Sequence, residues 1–112
     1  MADIREQIAW QVRALHVVDD LLRAQLKSKT FLPVLRWHVQ DAGCTAYGES
    51  FAGTDDLRRQ AVNAWADRLG AEVRETPLGH GQARVTVSAT VELVRVTVTA
   101  LLHGDDQKEV EK

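Results

Sequence analysis

The sequence predicts an α+β fold: two helices on one face of a four-stranded, mostly antiparallel sheet, in the order α-β-β-α-β-β. Three patterns carry this prediction. Apolar residues recur at helical spacing over Asp3–Lys27. A second, capped helical pattern runs from Thr54 to Gly70. Between Gln82 and Leu102 apolar and polar residues alternate with period two, the signature of strands with one buried face.

The first element is predicted as a helix from Asp3 to about Lys27. Asp3 can cap it, and Glu6 stands three residues on, the capping-box spacing. Ile4, Ile8, Val12, Leu15, Val18, Leu22 and Leu26 form one apolar ridge, and Trp10, Ala14, Val17 and Leu21 form another beside it. So wide an apolar face either wraps the domain core or exceeds what one small sheet covers, in which case part of it, around Trp10, meets a second chain. Trp10, Val17 and Leu21 are the candidate protein-interface residues, with a second copy of the chain as the expected partner. Ser28-Lys29-Thr30 ends the helix.

Pro33 opens the first hairpin. Leu35, Trp37 and Val39 fall on one side of it and Arg36, His38 and Gln40 on the other. With an Ala42-Gly43 turn, Val39 faces Ala46, Trp37 faces Gly48 and Leu35 faces Ser50, so that Trp37 can lie across the glycine. On the outer face Arg36 then meets Glu49 and His38 meets Tyr47. A three-residue loop, Asp41-Ala42-Gly43, would instead turn Tyr47 and Phe51 inward.

The second helix begins at Gly53-Thr54-Asp55-Asp56. Thr54 is the expected N-cap, and the two aspartates favour the positive end of the helix dipole. Leu57, Ala61, Ala64, Trp65 and Leu69 form its apolar stripe, Arg58, Arg59, Asn63, Asp67 and Arg68 face water, and Gly70 terminates it. Ala71–Thr76 is expected as a short edge strand and Pro77–Gly81 as a mobile loop. In the final alternating run the phase slips after Val91. A two-residue turn at Glu92-Leu93 repairs it by pairing Val91 with Val94, Ala89 with Val96, Val87 with Val98 and Val85 with Ala100. Glu-Leu is poor turn chemistry, and a bent strand or bulge near Glu92 is the competing reading. Residues 1–103 form the expected single domain, and 104–112 a charged, disordered tail.

Around Leu69-Gly70 the chain resembles a group of small proteins of actinobacteria and their phages. In these a helix ending Ala-Trp-x-x-x-Leu-Gly, here Ala64–Gly70, precedes a variable loop and a hairpin, here with Val94-Arg95-Val96-Thr97-Val98 just past the turn. The Leu32-Pro33 step belongs to the same resemblance, which spans roughly Leu32 to Leu102. Members often carry Gly where this chain has Leu93. The resemblance implies a setting, mobile elements or accessory genes, and no chemistry.

Composition narrows function further. The 112 residues carry a net charge of −2, which gives no global basic excess for gripping nucleic acid. One cysteine, Cys44, excludes an intrachain disulfide and a thiol-rich metal site. The N-terminus lacks a signal-peptide layout and no apolar run approaches a membrane span, so a cytoplasmic protein is expected. His16, His38, His80 and His103 are scattered without ligand spacing, no nucleophile elbow or phosphate-binding loop is present, and adjacent aspartates on a helix point apart. No catalytic residue, cofactor or metal is therefore assigned. The expected function is a non-enzymatic, homodimeric interaction module. The alternative is a nucleic-acid-binding accessory factor that uses Arg36, His38, Tyr47, Arg84 and Arg95 on the outer sheet face.

Overall fold

The computed structural model describes residues 3–28, 31–40 and 44–104. The Ala42-Gly43 turn and the tail from Asp105 onward lie outside the described residues. The elements are α1 (Ile4–Lys27), β1 (Arg36–Val39), β2 (Thr45–Glu49), α2 (Asp55–Leu69), β3 (Arg74–Gly79), β4 (Gln82–Val91) and β5 (Val94–Leu102).

The α+β class holds, but the sheet has five strands in the order β1-β2-β5-β4-β3 and is mixed. Three neighbouring pairs are antiparallel, and β2 runs parallel to β5, with Tyr47 beside Thr97 and Gly48 beside Val98. Ala71–Thr76 was too early a placement for the edge strand, which runs through Pro77 with an irregular register between Pro77 and Gly79. Pro77–Gly81 is accordingly no loop. It is the end of a hairpin that turns at His80-Gly81, where Gly79, His80 and Gly81 all have positive φ. Proline is tolerated there because β3 is an edge strand, whose outward amides need no partner in the sheet.

Burial fixes the β4–β5 register as the alternation required. Val91 pairs with Val94, Ala89 with Val96, Val87 with Val98 and Val85 with Ala100. The connection is the two-residue turn, and Glu92 and Leu93 adopt φ of 48° and 70°. Two side-chain-bearing residues thus occupy left-handed backbone, because slipping to a kinder turn would carry a whole row of valines to the other face.

The first hairpin has the Trp37–Gly48 and His38–Tyr47 register. A Cβ on Gly48 would lie 2.8 Å from Leu35 Cδ1 and 3.0 Å from the Trp37 ring, so only glycine lets the indole cross the strand. Trp37 meets Trp65 edge-on, with centroids 5.4 Å apart, and the Trp65 indole N–H donates to the Pro33 carbonyl at 2.9 Å. The Leu32-Pro33 step and the tryptophan of the helix motif are therefore one contact.

Both helices cover the same sheet face. Under α2, Val62, Trp65 and Ala66 pack on Val85, Val87, Val98, Ala100 and Leu102. Under α1, Ala14, Val17 and Val18 pack on Ala46, Val94 and Val96. Leu21, Trp37 and Leu69 touch both clusters and join them into one core. The buried stripe of α2 keeps Ala61, Trp65 and Leu69 of the expected one, but Val62 and Ala66 join it and Leu57 is half exposed. The caps form as the sequence requires: Asp3 accepts from the Glu6 amide at 2.9 Å, Thr54 from the Leu57 amide at 3.1 Å, and Gly70 closes α2 in the left-handed region.

Two substitutions test these constraints. Leu93→Gly relieves one left-handed side chain and is expected to stabilise the fold by about 1 kcal/mol in urea unfolding. Gly48→Ala crowds the Trp37 ring and is expected to cost about 1–3 kcal/mol in the same measurement.

Candidate functional site

Three features stand out from the packed core: the outward ridge of α1, the uncovered face of the sheet, and a buried ion cluster at the start of α2.

The two apolar ridges of α1 part company. Trp10, Val17 and Leu21, the residues expected at an interface, lie on the ridge that turns to the protein's own sheet. Val17 is 1% exposed, Leu21 packs against both core clusters, and Trp10 is half-buried, its carbonyl 3.6 Å from Cys44 Sγ. A side chain as buried as Val17 has no surface to give a partner. The other ridge, apart from Val18, is left in solvent. Ile4, Ile8, Val12, Leu15, Leu22 and Leu26 are 41–78% exposed. At helical spacing they fall within an arc of roughly 80°. Asp19 lies inside that arc, and its carboxylate is held by Arg23 at 2.8 Å. The Arg23 pKa is raised by the hydrogen bond and then by the charge of Asp19. The sequence showed both ridges. It could not show which one the sheet takes, because both are equally apolar.

On the face away from the helices, pairing aligns the side chains in rows across the sheet. One row runs Arg36, Glu49, Thr99, Thr86, Arg74, and the next His38, Tyr47, Thr97, Ser88. The central hydroxyls bond to one another, Thr86 to Thr99 at 3.1 Å and Ser88 to Thr97 at 2.9 Å, and Thr99 also donates to the Val85 carbonyl. Thr97 and Thr99 are only 5% and 6% exposed although no element covers them. The larger side chains around them make the walls of a trough of about 570 Å³, among them Gln40, Tyr47, Arg84 and Arg95. Arg84 reaches over the floor to Thr99 at 3.3 Å. The His38 and Tyr47 rings stack with centroids 5.4 Å apart and planes 5° from parallel. Of the five residues expected on this face, Tyr47, Arg84 and Arg95 line the trough and His38 stacks on its wall. Arg36 is drawn aside, its guanidinium 4.1 Å over the Phe51 ring. Arg74, which lies within the expected edge strand but is not among the five, sits beside Glu72, Thr86, Ser88 and Arg95 in an adjoining depression.

The buried cluster corrects two further expectations. Arg58 does not face water and Asp55 is not merely a dipole cap, for each is 7% exposed. The Asp55 carboxylate accepts from Arg58 Nη2 at 2.5 Å, from the His103 amide at 2.8 Å and from the Gly104 amide at 2.7 Å, while Arg58 Nη1 donates to the Ala52 carbonyl. Gly104 therefore belongs to the folded domain and not to the tail. Burial raises the Asp55 pKa, but the His103 amide, the Arg58 guanidinium and the Gly104 amide outweigh it and hold the group at about 2. Next to it Arg59 pairs with Glu75 of β3. These contacts tie the start of α2 to the ends of β5 and β3. They are structural: both carboxylate oxygens of Asp55 are bonded to the chain itself.

Cys44 is half-buried against the α1 cluster, and His80 sits on an exposed turn. Among the described residues no group of three or more His, Cys, Asp or Glu is placed to hold a metal ion, and no helix is long and apolar enough to cross a membrane. Comparison with protein-family models, curated proteins and solved structures gives no match.

The depressed Asp55 pKa has a definite sign. The carboxylate adds stability that is fully present above its unfolded value of 3.8 and is lost as pH falls through that value toward about 2. Asp55→Asn is expected to lower stability by roughly 1–3 kcal/mol near neutral pH. The gap between the two proteins should close between pH 3.8 and about 2, read from urea midpoints across that window.

Proposed function

We propose that this chain is a non-enzymatic interaction module that pairs with a second copy of itself through the outward ridge of α1. The observation that carries the reading is the row of exposed branched side chains on a helix whose opposite ridge is already buried. In water such a row is stable only at the expense of hydrophobic free energy, and a large contiguous apolar patch on a soluble surface marks an interaction site.

A second copy is the occupant the pattern favours. The ridge is symmetric about Leu15: in an antiparallel pair Ile4 opposes Leu26, Ile8 opposes Leu22, and Leu15 meets its own counterpart. A two-fold interface requires this self-complementarity, since each residue must serve as both knob and socket. The six side chains expose roughly 600 Å² per chain, so pairing would withdraw roughly 1,200 Å², the lower end of specific interfaces. Asp19 does not spoil the fit, because its charge is already neutralised by Arg23 at the ridge's edge. In the setting that the Ala64–Gly70 motif suggests, such a module would serve as an accessory protein of a phage or mobile element.

Light scattering after size exclusion tests the reading. The wild-type chain should run at twice its 12.5 kDa mass, and Leu15→Glu should run as a folded monomer with an unchanged circular-dichroism spectrum. A wild-type monomer at high concentration, or a Leu15→Glu dimer, removes the proposal.

A further inference from the structure

We infer that the trough on the outer face of the sheet is a binding site for single-stranded nucleic acid, with Arg74, Arg84 and Arg95 holding phosphates and the Tyr47–His38 pair offering a surface on which a base stacks. The site uses the face opposite the helices and does not depend on pairing through α1.

Charge is the first argument. The chain is negative overall, yet among the described residues this face sets Arg36, Arg74, Arg84 and Arg95 against Glu49 and Glu72. On the helices three of the arginines are neutralised, Arg23 by Asp19, Arg58 by Asp55 and Arg59 by Glu75. Among the described residues none of Arg74, Arg84 and Arg95 has a carboxylate within 4.0 Å. Guanidinium groups gathered over hydroxyls and not bonded to a carboxylate suit an anion supplied from outside.

Shape and chemistry then choose among anions. The floor of Thr86, Ser88, Thr97 and Thr99 is lined with hydroxyls that already bond to one another, so it is polar but makes no fixed demand on the ligand. Arg95 stands toward one end of this floor and Arg84 toward the other, as repeated phosphates along a strand require and a lone phosphate does not. A parallel pair of rings on one wall gives a flat π-surface beside those charges. An acidic peptide has carboxylates for the arginines but no planar group for the rings. A duplex is too wide for a trough of this size and hides its bases. A cationic groove with a ring platform is the arrangement that binds unpaired strands without reading sequence.

Fluorescence anisotropy with a labelled oligo(dT) of about 10–15 nucleotides at about 50 mM salt is the test. The wild-type protein should bind, with a log–log salt slope near roughly −2 for three phosphate contacts to a single strand. Arg84→Ala with Arg95→Ala should weaken binding at least ten-fold. Arg13→Ala with Arg68→Ala, the same loss of charge on the helices, should leave it unchanged. Tyr47→Ala should weaken it roughly ten-fold, and Tyr47→Phe, which keeps the ring, should restore it. No binding at low salt overturns the inference, and so does equal weakening by the two arginine pairs. Polyglutamate or a duplex of the same length competing as well as the oligonucleotide would overturn it too.

Discussion

Strand β5 is the constraint on which the rest of the molecule depends. It is paired on both sides and buried along almost its whole length, with Val94, Val96, Val98, Ala100 and Leu102 toward the helices. Shifting this strand by one residue would put five apolar side chains in water and the threonines in the core, at a cost of several kcal/mol. That cost is why the chain accepts two left-handed residues, Glu92 and Leu93, in the turn before it. It also divides the labour of the helices: the first half of the strand lies under α1 and the second half under α2.

Fixing β5 fixes both surfaces for which a function is proposed. Its outer face supplies Thr97, Thr99 and Arg95, the middle of the polar trough, and its neighbours β2 and β4 supply the walls. Its inner face takes only one ridge of α1. The other ridge lies on the opposite side of the helix, so it stays in solvent. The Asp55 cluster anchors this arrangement at one end by binding the backbone that leaves β5 to the start of α2.

Local patterns in the sequence were legible wherever burial enforced them. The β4–β5 register followed from the phase slip, and the first hairpin followed from Trp37 needing Gly48. Helix ends followed from Asp3, Thr54 and Gly70. What was not legible was set by distant partners. The parallel pairing of β2 with β5 leaves no mark on either strand, since the same alternation serves an antiparallel neighbour equally well. Strand β3 is exposed along its length and carries Pro77, so an edge strand was expected there but its bounds, Arg74–Gly79 in place of Ala71–Thr76, were not announced by any alternation. Arg58 reads as a surface residue until Asp55 and the backbone after β5 are brought to it. For the sites, the trough's Tyr47, Arg84 and Arg95 were visible as one parity of the strands. Arg74 was not singled out although it lay in the expected edge strand, and Val17 and Leu21 read as surface because two apolar ridges on one helix look alike before the sheet chooses.

Amide hydrogen exchange along β5, followed by NMR, tests the central claim most directly. Beside β4 alone, only alternate amides of β5 would be bonded, those of Val94, Val96, Val98 and Ala100. The amides between them point to β2, as the 2.8 Å bond from the Arg95 amide to the Cys44 carbonyl shows. If β5 is the central strand, Arg95, Thr97 and Thr99 exchange as slowly as their valine neighbours, at the rate set by global unfolding. If they exchange freely while Val94, Val96 and Val98 stay protected, β5 is an edge strand, and the placement of both functional surfaces falls with it.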